Sequence, residues 1–135
     1  MSKSQLRHEI EKWSPLTDRQ WEKFEAIFRQ REVAARDFLA LPGDETYELF
    51  FICQGLLRFY YLSPDGKERN KAFVAENEFA GSLTSAVRKR PLYYGIQALE
   101  PTTLLVTTLD QFMDLLEQEH AFERIAQERP FLRNL

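Results

Sequence analysis

The residues of this chain best suited to chemistry lie between Asn77 and Glu100. Gly81, Ser82 and Leu83 fall where a loop turns into a short helix, and a small residue at such a turn leaves backbone N–H groups free to converge on an anion. Arg88, Lys89 and Arg90 follow in a basic loop, either as substitute cations for that anion or as solvated surface. Leu92 and Tyr93 then lead into a strand that runs to Leu99. A small-molecule site is expected here.

Other chemistry finds little support. The two histidines, His8 and His120, sit in opposite terminal regions with no metal-ligand spacing, and the strands offer no set of His and carboxylate residues for a metal-dependent barrel enzyme. There is no Ser/His/Asp order, no Gly-rich phosphate loop and no paired acids at adjacent strand positions. The expectation is a non-enzyme without a metal. Cys53 is the sole cysteine, so no intramolecular disulfide forms, and its place in the apolar run Glu48 to Cys53 predicts a buried, inert thiol.

Elements of two kinds must position the site. Trp21, Phe24, Ile27 and Phe28 recur at helical spacing, and Thr17 with Gln20 forms a capping box at that helix's start. A shorter helix from Gln5 to Trp13 precedes it. Turn signals then punctuate a series of strands. Leu41-Pro42-Gly43-Asp44 leads to Glu48 to Cys53, and Gln54-Gly55 connects to Leu56 to Leu62. Ser63-Pro64-Asp65-Gly66 reverses the chain into Glu68 to Val74 as a hairpin. Tyr93 to Leu99 and Thr103 to Thr108 are expected to pair around Glu100-Pro101. Thr108 and Gln111 repeat the capping pattern ahead of Phe112, Leu115 and Leu116, and a last helix from His120 is expected to stop at Pro130.

The predicted fold class is therefore mixed α+β: an antiparallel, jelly-roll-like β-roll over about residues 31–108, with helices over about 4–30 and 109–129. A chain of 135 residues with 44% apolar and 13% aromatic content suits one domain with a real core. Its 18 basic and 21 acidic side chains, net −3, create no global positive field for nucleic acid. No run reaches the roughly 20 apolar residues of a bilayer span, and the first dozen residues lack a secretory segment. The expected setting is cytoplasmic, without a membrane partner.

The order of these signatures resembles the cyclic-nucleotide-binding domain of the Crp/Fnr transcription regulators. Leu41-Pro42-Gly43-Asp44 stands at that family's first Gly-Asp turn, Phe51-Ile52-Cys53-Gln54-Gly55 at its next strand, and Pro64-Asp65-Gly66-Lys67 at its hairpin. Asn77-Glu78-Phe79-Ala80-Gly81-Ser82-Leu83 falls on the start of its phosphate-binding cassette, and Ile96-Gln97-Ala98-Leu99-Glu100 on the strand after it. The likeness covers roughly Asp18 to Gln127, and the interval from Leu83 to Pro91 needs no gap.

The resemblance implies an effector-binding sensor domain for a cyclic nucleotide or another small molecule, and two departures qualify it. Ser82 stands where the family usually has the glutamate that bonds the ribose, and Leu92 where it has the arginine that pairs with the cyclic phosphate. A charge-assisted hydrogen bond is worth about 1.5–3 kcal/mol, so cAMP and cGMP should bind weakly or not at all. Gly81, Ser82, Leu83, Leu92 and Tyr93 then form either packed core or a pocket for an apolar or aromatic ligand. Tyr93 and Tyr94 point to opposite sides of their strand, so only one of them lines the inside.

The resemblance also implies a homodimer through the C-terminal helix. Phe122, Ile125 and Phe131 form an apolar set that a lone domain does not obviously bury, which makes Phe122 and Ile125 candidate dimer contacts. DNA enters only through a helix-turn-helix beyond residue 135, because no recognition helix lies within the chain.

Overall fold

The computed structural model describes residues 2–45, 47–128 and 135. Its elements run α1 (Ser2–Glu11), α2 (Asp18–Ala26), β1 (Arg29–Val33), β2 (Phe38–Ala40), β3 (Glu48–Gln54), β4 (Leu57–Leu62), β5 (Glu68–Val74), β6 (Phe79–Gly81), α3 (Leu83–Arg88), β7 (Gly95–Ala98), β8 (Thr102–Thr108), α4 (Leu109–Gln118) and α5 (His120–Ala126). The strands form two antiparallel sheets of four, ordered β1-β8-β3-β6 and β2-β7-β4-β5. This is the expected β-roll between helices.

Side-chain alternation explains why the two sheets close on each other. Along β3, Leu49, Phe51 and Cys53 face the helices, while Phe50 and Ile52 face the other sheet; along β8, Leu105 faces the helices and Leu104 and Val106 face inward. The β3 and β8 sheet is thus buried on both faces, which is why Glu48 to Cys53 reads as a continuous apolar run. The second sheet is buried on one face only. Leu57, Phe59, Val74, Ile96 and Ala98 point into the roll, and Arg58 and Phe73 point out.

The turns explain the register. Ser63 N–H donates to Lys67 O at 2.9 Å, and Gly66 sits at φ 81°, so the β4–β5 hairpin forms as its Pro-Asp-Gly sequence predicts. At Leu41 to Asp44 the Asp44 carboxylate accepts the Leu41 N–H at 2.8 Å, and Gly43 takes φ 96°. One pairing expectation fails. Strands β7 and β8 do not pair: β7 lies between β2 and β4, and β8 between β1 and β3. The Glu100-Pro101 connection crosses from one sheet to the other, as a roll requires and a hairpin does not.

The helices close the opposite face of the β3 and β8 sheet. Thr17 and Gln20 cap α2 reciprocally, a feature worth about 1 kcal/mol. Thr108 accepts the Gln111 N–H at 3.1 Å to start α4. Leu6 and Ile10 of α1 join Trp21 and Phe24 of α2 and Phe112 and Leu115 of α4 over Leu49 and Phe51. Phe24 is the hub, with ring centroids 5.3 Å from Phe28, 5.6 Å from Phe122 and 6.4 Å from Phe112.

That hub corrects the choice of Phe122 and Ile125 as dimer contacts. Phe122 and Ile125 are both 0% exposed within the chain itself. Helix α5 folds back so that they join α2 and α4 in one core. Phe122 and Ile125, two members of the apolar set, are absorbed into the core with Phe24, and neither is offered to a partner. Helix α5 ends at Ala126; Pro130 and Phe131 lie outside the described residues.

Candidate functional site

Strand β6, helix α3 and the segment leading into β7 converge at the open end of the roll. Gly81 is the last residue of β6, paired with Leu49, and the helix starts two residues later than a turn at Gly81 would give. Glycine is needed here for packing: a Cβ on Gly81 would lie 2.7 Å from Glu48 O. Ser82 caps α3 by accepting the Ser85 N–H at 3.3 Å. A six-residue helix capped by its own serine is a weak anion cradle, because it builds less than two turns of dipole and part of its free end is already satisfied.

Two cavities border this segment. The smaller one is lined by residues including Leu39, Asp44, Glu48, Phe50, Ser82, Leu92, Tyr94 and Ile96, and its volume is about 20 Å³. That holds about one water. The outer one, about 170 Å³, is lined by Phe59, Lys71, Ala72, Gly81, Ser82, Thr84, Tyr93, Tyr94 and Leu135. Gly81, Ser82 and Tyr94 line both, so the two cavities adjoin at these residues, the smaller as the floor of the site and the larger as its mouth.

The floor is closed by Leu92 and Tyr94. Leu92 is clamped by its backbone, with its N–H donating to Asp44 O at 2.8 Å and its carbonyl accepting the Gly43 N–H at 2.7 Å. Its side chain packs among Leu39, Phe50 and Ile96. Tyr94 stacks on Phe59, with centroids 5.0 Å apart and planes 16° from parallel. Its hydroxyl donates to Gly81 O at 2.7 Å. Burial pushes the Tyr94 phenol up to about 12, against a smaller downward pull from its hydrogen bond with Ser82. It therefore stays neutral, a donor and a wall.

The predicted site residues do not all meet. Gly81, Ser82 and Leu92 line the site, but Leu83 turns away and packs against the helical core. Tyr93 is 59% exposed and stands at the rim, and the inward tyrosine is Tyr94. The reason is parity: Leu92, Tyr94, Ile96 and Ala98 alternate inward, so Leu92 and Tyr93 cannot share a side. Arg88, Lys89 and Arg90 are exposed at the far end of α3, with Lys89 left-handed at φ 53°, and none lines either cavity.

The cation at the site is Lys71 of β5, which the sequence reading missed. Its Nζ lies 4.8 Å above the Tyr93 ring and 5.1 Å above the Tyr94 ring, and 2.5 Å from Tyr93 Oη. A β5 that reads Glu68-Arg69-Asn70-Lys71 marks no one charge as special, and only the roll's topology brings Lys71 to Tyr93. Phe59 was visible only as an apolar strand residue. Cys53 is buried as expected, and its thiol is pushed up chiefly by that burial. His8 and His120 are exposed. Among the described residues no cluster of His, Cys, Asp and Glu could hold a metal, and no helix is long and apolar enough to cross a membrane.

Comparison with known proteins agrees with this geometry. The sequence pattern of the cyclic nucleotide-binding domain matches residues 19–119. No curated protein matches the chain. Among solved structures, the catabolite activator protein of Thermus thermophilus is 18% identical at a TM-score of 0.71, covering 82% of this chain and 51% of its own. The N-terminal domain of a transcriptional regulator from Streptomyces coelicolor is 22% identical at 0.70, covering 96% of this chain and 89% of its own. The sensor domain of the transcriptional regulator DNR from Pseudomonas aeruginosa is 17% identical at 0.70, covering 90% and 79%. This chain thus spans about half the length of the Thermus protein.

Proposed function

This chain belongs to the cyclic nucleotide-binding domain family, and from that premise we propose that it is a single regulatory sensor domain of the Crp/Fnr type whose roll no longer suits cAMP or cGMP. The observation that carries the reading is the closed floor. Leu92 and Tyr94 occupy the inside of the roll and leave about 20 Å³ there, with about 170 Å³ in the adjoining outer cavity. Ligand pockets ordinarily measure about 300–1,000 Å³. A cyclic phosphate reaching this floor would meet a leucine and a neutral phenol, and it would lose its solvation without gaining a charge-assisted partner.

The reading is regulatory and non-enzymatic. The site offers hydroxyls, aromatic rings and one ammonium, with no nucleophile and base in register. Two of the structural neighbours are named as transcriptional regulators, which supports a role in which occupancy of the roll biases an attached output element. The substitute-cation route through Arg88 and Arg90 is not favoured, since neither reaches the cavities. Calorimetric titration with cAMP and with cGMP tests the proposal. The expected result is no saturable heat at concentrations up to about 1 mM, and dissociation constants near 1 μM would overturn it.

A further inference from the structure

We infer that the mouth of the roll binds a small anion built on a single aromatic ring, with benzoate as the simplest probe. The inference rests on the sensor reading and specifies its ligand. Volume sets the first limit. An apolar cavity of about 150 Å³ is enough to hold benzene, and this one measures about 170 Å³. One substituted ring fits; a purine with its ribose and cyclic phosphate does not.

The lining sets the second. Tyr93 and Tyr94 stand nearly perpendicular, at 82° with centroids 4.9 Å apart, and Phe59 lies beneath Tyr94. With Ala72 they form an apolar corner that suits a flat ring packed edge or face on. Charge sets the third limit. Among the described residues no aspartate or glutamate side chain lines the cavity, and Lys71 makes no ion pair with a side chain. Its ammonium rests on two ring faces and one phenol oxygen, contacts far weaker than an opposite charge would give. A carboxylate at the mouth would receive a charge-assisted hydrogen bond from Lys71 while its ring filled the corner.

The test uses the whole chain and compares sodium benzoate with benzyl alcohol and cyclohexanecarboxylate by NMR titration. Benzoate is expected to bind saturably at millimolar or better affinity, about tenfold tighter than benzyl alcohol. In Lys71→Met, which keeps the aliphatic stem, that advantage should disappear while thermal unfolding stays at the wild-type midpoint. Equal binding of benzoate and cyclohexanecarboxylate would contradict the aromatic corner. Absent benzoate binding at about 10 mM, or binding untouched by Lys71→Met, would overturn the inference. If cAMP and cGMP also fail to bind, the sensor reading survives that loss; if either binds near micromolar, both fall.

Discussion

The two faces of the β3 and β8 sheet are both lined by aromatic residues, yet they are closed in different ways. On the helical face, Phe24 gathers Phe28, Phe112 and Phe122 into a cluster supplied by α2, α4 and α5 and the approach to β1. Inside the roll the closure depends on one leucine and one stacked pair, Leu92 and Tyr94 on Phe59, and it gives way to open space at Lys71. The first is a core in which each ring is enclosed by others. The second is a plugged pocket, sealed at its floor and open at its mouth.

The largest effect should follow from breaking the hub. Phe24→Ala removes a fully buried ring and should cost about 3–5 kcal/mol in urea unfolding. A loss under about 1 kcal/mol would show that the helical face repacks freely and is no better closed than the roll. Next comes the floor. Leu92→Arg places a guanidinium into about 20 Å³ and should destabilise by at least about 2 kcal/mol, without creating measurable affinity for cAMP. Cyclic-nucleotide binding by this variant would mean that the floor opens readily and that charge alone had been missing.

Tyr94→Phe should have a smaller effect, about 1 kcal/mol, because it removes the bond to Gly81 O but keeps the stack on Phe59. It should also change the alkaline limb of stability. The Tyr94 phenol is raised from its ordinary value near 10 to about 12 in the folded chain. Its contribution is therefore complete below about pH 10 and fades as pH rises toward about 12. Chemical denaturation between those pH values should show wild-type stability falling more steeply than that of Tyr94→Phe.

The smallest effect belongs to the β4–β5 turn, far from either face. Asp65 is lowered chiefly by its bond from the Ser63 hydroxyl. Its contribution is present above about pH 4 and lost as pH falls through the lowered value. Asp65→Asn should flatten this acid limb slightly and leave neutral stability nearly unchanged, as thermal melts between about pH 3 and 7 would register.

How much of this was legible in the sequence depended on whether a signal was local. Thr17 with Gln20, the Leu41 to Asp44 turn and the Pro64-Asp65-Gly66 reversal each act within a few residues, and each was readable. The site was legible in Gly81, Ser82, Leu92 and Tyr93, which line its cavities, and illegible in Lys71 and Phe59. Alternation told that Tyr93 and Tyr94 differ in side but gave no phase, and the phase was fixed by Leu92, which Gly43 and Asp44 clamp inward. Lys71 could not be singled out, because only the β4–β5 hairpin and the pairing of β7 with β4 bring it to Tyr93. Phe122 and Ile125 looked unpartnered for the same reason: Phe24, which meets Phe122 in the core that also holds Ile125, lies far earlier in the chain.

The central claim, that the inside of this roll is closed to cyclic nucleotides, is tested most directly by residue-resolved NMR during addition of cAMP and then cGMP. The account predicts that the amide signals of Ser82, Leu92 and Tyr94 stay in place up to about 1 mM nucleotide. Saturable shifts of those three amides at micromolar concentration would contradict it.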